Sequence, residues 1–208
     1  MKFTPLITGL NTLLLTSAVL AETPSPIKTV PNTAGWEFGL SYGQTHIDTQ
    51  AAFNADIGDS ADVFTLNVQY YFANSPWLLN AGGGSLSYDD KQGYSQTVRN
   101  KDTGEVLTKD SSADGTILFI EGGANYPINS ALFVQGLVGL DTVFGSSRSI
   151  DYCDDCTKKS FDINGGAYGL VKFGGTIADT VEVSLQYQYY LSGDLTSSAS
   201  LNIGSHFF

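Results

Sequence analysis

Apolar and polar side chains alternate along most of this chain, in segments of roughly ten residues, the length a tilted strand needs to cross a bilayer. Period-two alternation puts successive side chains on opposite faces of a strand. Gly35–Gln44 sets Trp36, Phe38, Leu40 and Tyr42 against Glu37, Gly39, Ser41 and Gly43. Val63–Phe72 sets Phe64, Leu66, Val68, Tyr70 and Phe72 against Thr65, Asn67, Gln69 and Tyr71. Thr116–Tyr126 sets Leu118, Ile120, Gly122 and Ala124 against Ile117, Phe119, Glu121 and Asn125. Val181–Leu191 is the cleanest, with Val181, Val183, Leu185, Tyr187, Tyr189 and Leu191 on one face. Trp77–Tyr88, Leu132–Phe144, Phe161–Phe173 and the terminal Ser200–Phe208 bring the count to eight strands. Trp77–Tyr88 is too rich in glycine for the pattern to set its register.

The connections alternate in length. Ala73–Pro76, Pro127–Ala131 and Gly174–Thr180 read as tight turns. Thr45–Asp62, Asp89–Gly115 and Gly145–Ser160 are long and polar, and Ser192–Ser198 is shorter. The expected fold is therefore all-β: an eight-stranded antiparallel up-and-down transmembrane β-barrel over residues 34–208. An even strand count puts both ends of the chain on the short-turn side. Trp36, Tyr42, Tyr70, Phe72, Trp77, Tyr126, Phe144, Phe161 and Phe173 fall near strand ends, where aromatic girdles form.

Ahead of the strands, Met1–Ala21 reads as a secretory signal peptide, with Lys2, an interrupted apolar core and small residues before a cleavage at Ala21. Residues 22–33, with Pro24, Pro26 and Pro31, form a flexible periplasmic lead-in. Composition agrees with a barrel in lipid: 23 glycines, 12% aromatic residues, and only 15% charged residues. Removing the signal takes Lys2 away, leaving 9 basic against 21 acidic residues. That balance excludes a nucleic-acid partner, which would need clustered Lys and Arg.

Along its whole mature length the chain resembles the small Gram-negative outer-membrane β-barrels of the OmpA/OmpX type. The resemblance implies localisation in the outer membrane after export, with both termini periplasmic, and contact with its lipid and lipopolysaccharide. It also implies that Phe208 is an assembly signal for the barrel-assembly machinery. In one respect the terminal strand departs from the family pattern. Leu201, Ile203 and Phe207 form the better apolar face, whereas His206 stands where a family aromatic would, so either a bulge intervenes or Phe207 faces lipid.

Eight strands leave an interior just wide enough for side chains to fill it. Glu37, Gln69, Glu121, Gln135, Asp162, Lys172, Glu182 and Gln186 point inward on this pattern and should form a hydrogen-bonded plug. A hairpin turning at Gly174–Asp179 sets Lys172 beside Glu182 as a lumen ion pair. Glu121 has no evident cation and is expected to hold water or stay neutral. Cys153 and Cys156 are spaced as a zinc half-site, a redox dithiol or a local disulfide. In an exported chain with no other cysteine, the disulfide is the default.

No cofactor or metal is implied. A structural or surface-interaction role through the long loops is expected, with a host-surface or phage ligand. Three alternatives stand beside it: a narrow cation-preferring pore, a lipid A-modifying barrel enzyme, and a soluble secreted ligand-binding barrel. The enzyme reading has only His46 and Asp48 as a fragment of a catalytic group, and no catalytic residue is assigned.

Overall fold

The computed structural model describes residues 34–90, 95–100, 102–150, 159–177 and 180–207. The signal segment with Ala21, the lead-in, Cys153, Cys156 and Phe208 lie outside the described residues. The elements are β1 (Gly35–Ile47), α1 (Thr49–Ala55), β2 (Ser60–Tyr71), β3 (Trp77–Tyr88), β4 (Ser95–Arg99) and β5 (Val106–Pro127). After them come β6 (Leu132–Ile150), β7 (Lys159–Ser160), β8 (Ala167–Ile177), β9 (Val181–Tyr190) and β10 (Leu195–Phe207).

Eight of these strands close a ring in chain order, β1-β2-β3-β5-β6-β8-β9-β10, every pair antiparallel, with β10 returning to β1. β4 and β7 extend the hairpins beyond the ring at the end where the long connections lie. The ring is the expected eight-stranded up-and-down barrel. Its connections are short at one end (the turn end); at the other (the loop end) three are long, and the fourth, between β9 and β10, is short.

The outer wall is apolar. Val138 is 70% exposed, Leu185 65% and Leu66 58%, while the residues between them on each strand point inward. From Phe72 to Phe64 along one outer face, the strand rise and tilt give a belt about 20 Å tall. At the turn end aromatic rings line the belt: Trp36 and Tyr70 lie 4.7 Å apart, Tyr70 and Phe72 5.1 Å, and Phe38 and Phe207 5.6 Å. Such a wall is stable in hydrocarbon and costly in water.

The two registers that the pattern left open are now fixed. β3 pairs with β2 and β5 without a shift, so Leu78, Asn80, Leu86 and Tyr88 face in, while Trp77 and Leu79 face out. The closing seam runs unbroken from Trp36 opposite Phe207 to His46 opposite Ser197, and slips only at Ile47. Phe207 therefore faces outward and His206 faces the lumen opposite Glu37, with no bulge near the strand's end.

Four expectations need correction. The sixth ring strand starts at Ala167, not Phe161. Asp194 diverts the preceding segment by accepting from the Asn164 backbone N–H and Nδ2 at 2.7 and 2.8 Å. Asp162 consequently lies in coil and is exposed, not in the lumen. Phe161 packs 5.3 Å from Tyr88 and belongs to no outer girdle. The first long connection is not simply a polar loop, because it folds into α1. Asp48 caps this helix by accepting from the Gln50 and Ala51 backbone N–H groups at 2.9 and 3.1 Å. Seven residues are too few for a helix to stand alone, so packing holds it. Ala52 and Ala55 are buried, with Ile47, Ile57, Leu86, Tyr88, Ile163 and Leu195 in the same cluster. This apolar lid covers the loop end of a polar lumen.

Candidate functional site

Two polar constellations occupy the interior, beside buried apolar side chains such as Leu78, Leu137 and Leu170. Near the turn end, Glu37 of β1 and Glu182 of β9 lie between two basic side chains, Lys172 of β8 and His206 of β10. Lys172 Nζ is 3.7 Å from Glu37 Oε1 and 3.4 Å from Glu182 Oε1. His206 Nε2 is 3.5 Å from Glu37 Oε2 and 3.1 Å from Glu182 Oε2. Each carboxylate thus turns one oxygen to the ammonium and the other to the imidazole. Tyr71 donates to Glu37 Oε2 at 2.7 Å, and Gln135 donates to the Tyr71 hydroxyl at 3.1 Å. Both glutamates and Lys172 are buried.

Lys172 and Glu182 thus meet, although not as direct cross-strand neighbours. Gln186 stands opposite Lys172, and Thr176 stands opposite Glu182. β8 continues to Ile177, so the turn is shorter than the sequence suggests and the register slides by four residues. The long Lys172 side chain spans the offset. Glu37 and His206 were not expected in this group. The signal was present: in an up-and-down ring the first and last strands pair, which brings an early inward Glu onto a late inward His.

Higher in the lumen, Glu121 accepts from Tyr168 at 2.7 Å and from Asn80 Nδ2 at 2.7 Å. Asn80 Oδ1 accepts from Asn67, whose own Oδ1 accepts from Asn202 at 3.3 Å. Asp141 accepts from Tyr190 at 2.6 Å and from the Gly166 backbone N–H at 2.7 Å. Protein donors therefore reach both oxygens of Glu121. Ser41, Thr65, Asn67, Asn80, Glu121 and Asn202 line a cavity of ≈ 30 Å³, room for about two water molecules.

The loop end is clamped by Arg148. At Gly145, with φ 68°, the β5–β6 ladder slips by one residue, so Ser146 and Arg148 face inward where Phe144 faces out. Arg148 Nε donates to both Asp90 oxygens at 3.1 Å, and Nη2 donates to the Asp56 carbonyl at 2.5 Å. Ser111 also donates to Asp90. Lys159 adds an exposed pair with Asp56 at 3.6 Å. Three long connections are thereby joined under one buried guanidinium.

His46 is exposed and faces outward, while Asp48 Oδ1 is engaged by the α1 backbone.

No known sequence family and no curated protein matches the chain. Solved structures do. Ail, the attachment invasion locus protein of Yersinia pestis, in complex with the heparin analogue sucrose octasulfate, aligns at 14% identity with a TM-score of 0.51. That alignment covers 84% of this chain and 97% of Ail. Neisserial surface protein A aligns at 11% identity over 84% of this chain and 97% of its own, TM-score 0.43. The outer membrane protein OprG from Pseudomonas aeruginosa aligns at 14% identity over 86% and 97%, TM-score 0.42. At such identities the likeness concerns the fold, and the Ail alignment carries it.

Proposed function

We propose that this chain is an integral outer-membrane barrel of a Gram-negative cell, with its loop end outward and a structural or surface-interaction role. The observation that supports it is the inverted barrel itself: an apolar wall outside, a hydrogen-bonded lumen inside, and a buried lid over one mouth. A soluble ligand-binding barrel would carry the reverse polarity. A pore would need a water path, and the cavity beneath the lid among the described residues holds only ≈ 30 Å³. On this reading residues 1–21 direct export, Phe208 engages the assembly machinery, and Cys153 and Cys156 close a local disulfide. Thiol labelling of whole cells without reductant should leave both cysteines unmodified.

The charge of the crown narrows the ligand. Among the described residues, Asp48, Asp59, Asp89, Asp102, Glu105 and Asp110 are exposed there, against exposed Arg99 and Lys159. A sulfated polyanion such as Ail holds would be repelled, so a neutral or cationic surface partner fits better. The test combines fractionation, heparin chromatography and planar-bilayer recording. The protein should require detergent for extraction, pass heparin at physiological salt, and show no unitary conductance. Release without detergent, or regular conductance steps, would overturn the reading. Deleting the β4–β5 arm and assaying binding to host cells or phage then addresses the ligand.

A further inference from the structure

The geometry points to a binding site for one divalent transition-metal ion, Zn²⁺ by its ligand chemistry, formed by Glu37, Glu182 and His206 at the turn end. Their ligand atoms all lie within 4.8 Å of one another. Zinc bonds to nitrogen and oxygen of 2.0–2.1 Å, at tetrahedral angles, put adjacent ligand atoms about 3.3 Å apart. His206 Nε2 stands 3.1 and 3.5 Å from the two Oε2 atoms, on either side of that value. One imidazole and two carboxylates suit zinc and its neighbours in the first transition row, and leave a fourth position for water.

The surroundings are those of a built site. Glu37 Oε1 and Glu182 Oε1 are buried and accept no hydrogen bond. Both face Lys172, which orients the carboxylates from behind and offsets only one of their two negative charges. Tyr71 donates to Glu37 Oε2 and lies 5.4 Å ring to ring from His206, so one side chain fixes the attitude of two ligands. Gly204 of β10 makes the room: a Cβ there would lie 2.3 Å from Glu37 Oε1. The three ligands come from β1, β9 and β10, and the ion would cross-link the barrel at its closing seam.

The experiment uses the untagged full barrel, extracted in detergent and stripped with a chelator, in a Cys153→Ser, Cys156→Ser background so that reduction of the disulfide cannot create a second metal site. Calorimetric titration with ZnCl₂ should give one saturable site per barrel, and Co²⁺ should give the visible absorption of a low-symmetry four-coordinate centre. His206→Gln and Glu182→Gln should each weaken Zn²⁺ by more than about 100-fold, and Tyr71→Phe by about 10- to 100-fold, the range for an outer partner of a ligand. His46→Gln should change nothing. Heat-shifted gel mobility checks that each variant is folded, and Tyr71→Phe keeps the test open if a ligand variant is not. Absence of saturable binding, or affinity unchanged in the folded His206→Gln or Tyr71→Phe barrel, overturns the site.

Discussion

Replacing Lys172 with Met removes the cation that faces two buried carboxylates. Pairs at 3.7 and 3.4 Å each attract by about 5 kcal/mol at an effective dielectric near 20. Desolvation of the three ions cancels much of that gain in the intact barrel. It does not cancel the loss when only one partner goes, because Glu37 and Glu182 stay buried with a single compensating base. The expected cost of Lys172→Met is therefore about 3–5 kcal/mol, the usual figure for breaking a buried pair. Adding Glu182→Gln removes one stranded charge, so the double variant should recover about 2 kcal/mol relative to Lys172→Met. Equilibrium urea unfolding in detergent micelles, read by the fluorescence of Trp36 and Trp77 on the outer wall, measures the parent, both single variants and the double variant. A Lys172→Met midpoint equal to that of the parent would refute the reasoning. So would coupling below about 0.5 kcal/mol, since contacting charges should not add independently.

Three more outcomes follow from other parts of the barrel. Arg148→Leu removes the guanidinium that joins Asp90 to the Asp56 carbonyl and unties three connections, so limited proteolysis of the loop end should accelerate at least tenfold while the gel shift of the barrel persists. Tyr168→Phe takes a donor from buried Glu121 and should cost about 1–3 kcal/mol in the same urea assay; an unchanged midpoint would show that water replaces the hydroxyl without loss. Val138→Arg puts a charge on the outer wall and should lower stability in lipid vesicles by about 2–4 kcal/mol if Val138 lies near the bilayer midplane. A neutral result there would contradict the membrane assignment of that face.

The ring was legible because each strand carries its own evidence. Phe64 to Phe72 and Val181 to Leu191 alternate so cleanly that the face of each side chain follows from period two alone. Trp77–Tyr88 was not legible in register because three consecutive glycines erase the contrast between faces, and only pairing with β2 and β5 restores it. α1 escaped notice because Thr49–Ala55 is short and weakly amphipathic; Asp48 ahead of Ala51 and Ala52 was the available sign. Arg148 could not be placed in the interior from pattern, since its inward direction depends on the one-residue slip at Gly145. The Lys172–Glu182 contact was anticipated with the wrong register. Glu37 and His206 were missed because each was read within its own strand, and their meeting is a property of the closed ring.

The group at the turn end draws its four charged side chains from β1, β8, β9 and β10, and β1 is the first strand made. Until β10 pairs with it, Glu37 has neither His206 beside it nor a wall between it and water. Zipping the last seam thus desolvates the carboxylate and delivers its partner in the same motion. A barrel that stalls before that point keeps a hydrated acid at its open edge, where it opposes both hydrocarbon and the edge of another chain. Charge compensation and ring closure are one cooperative event, and an unfinished barrel is denied a comfortable resting place.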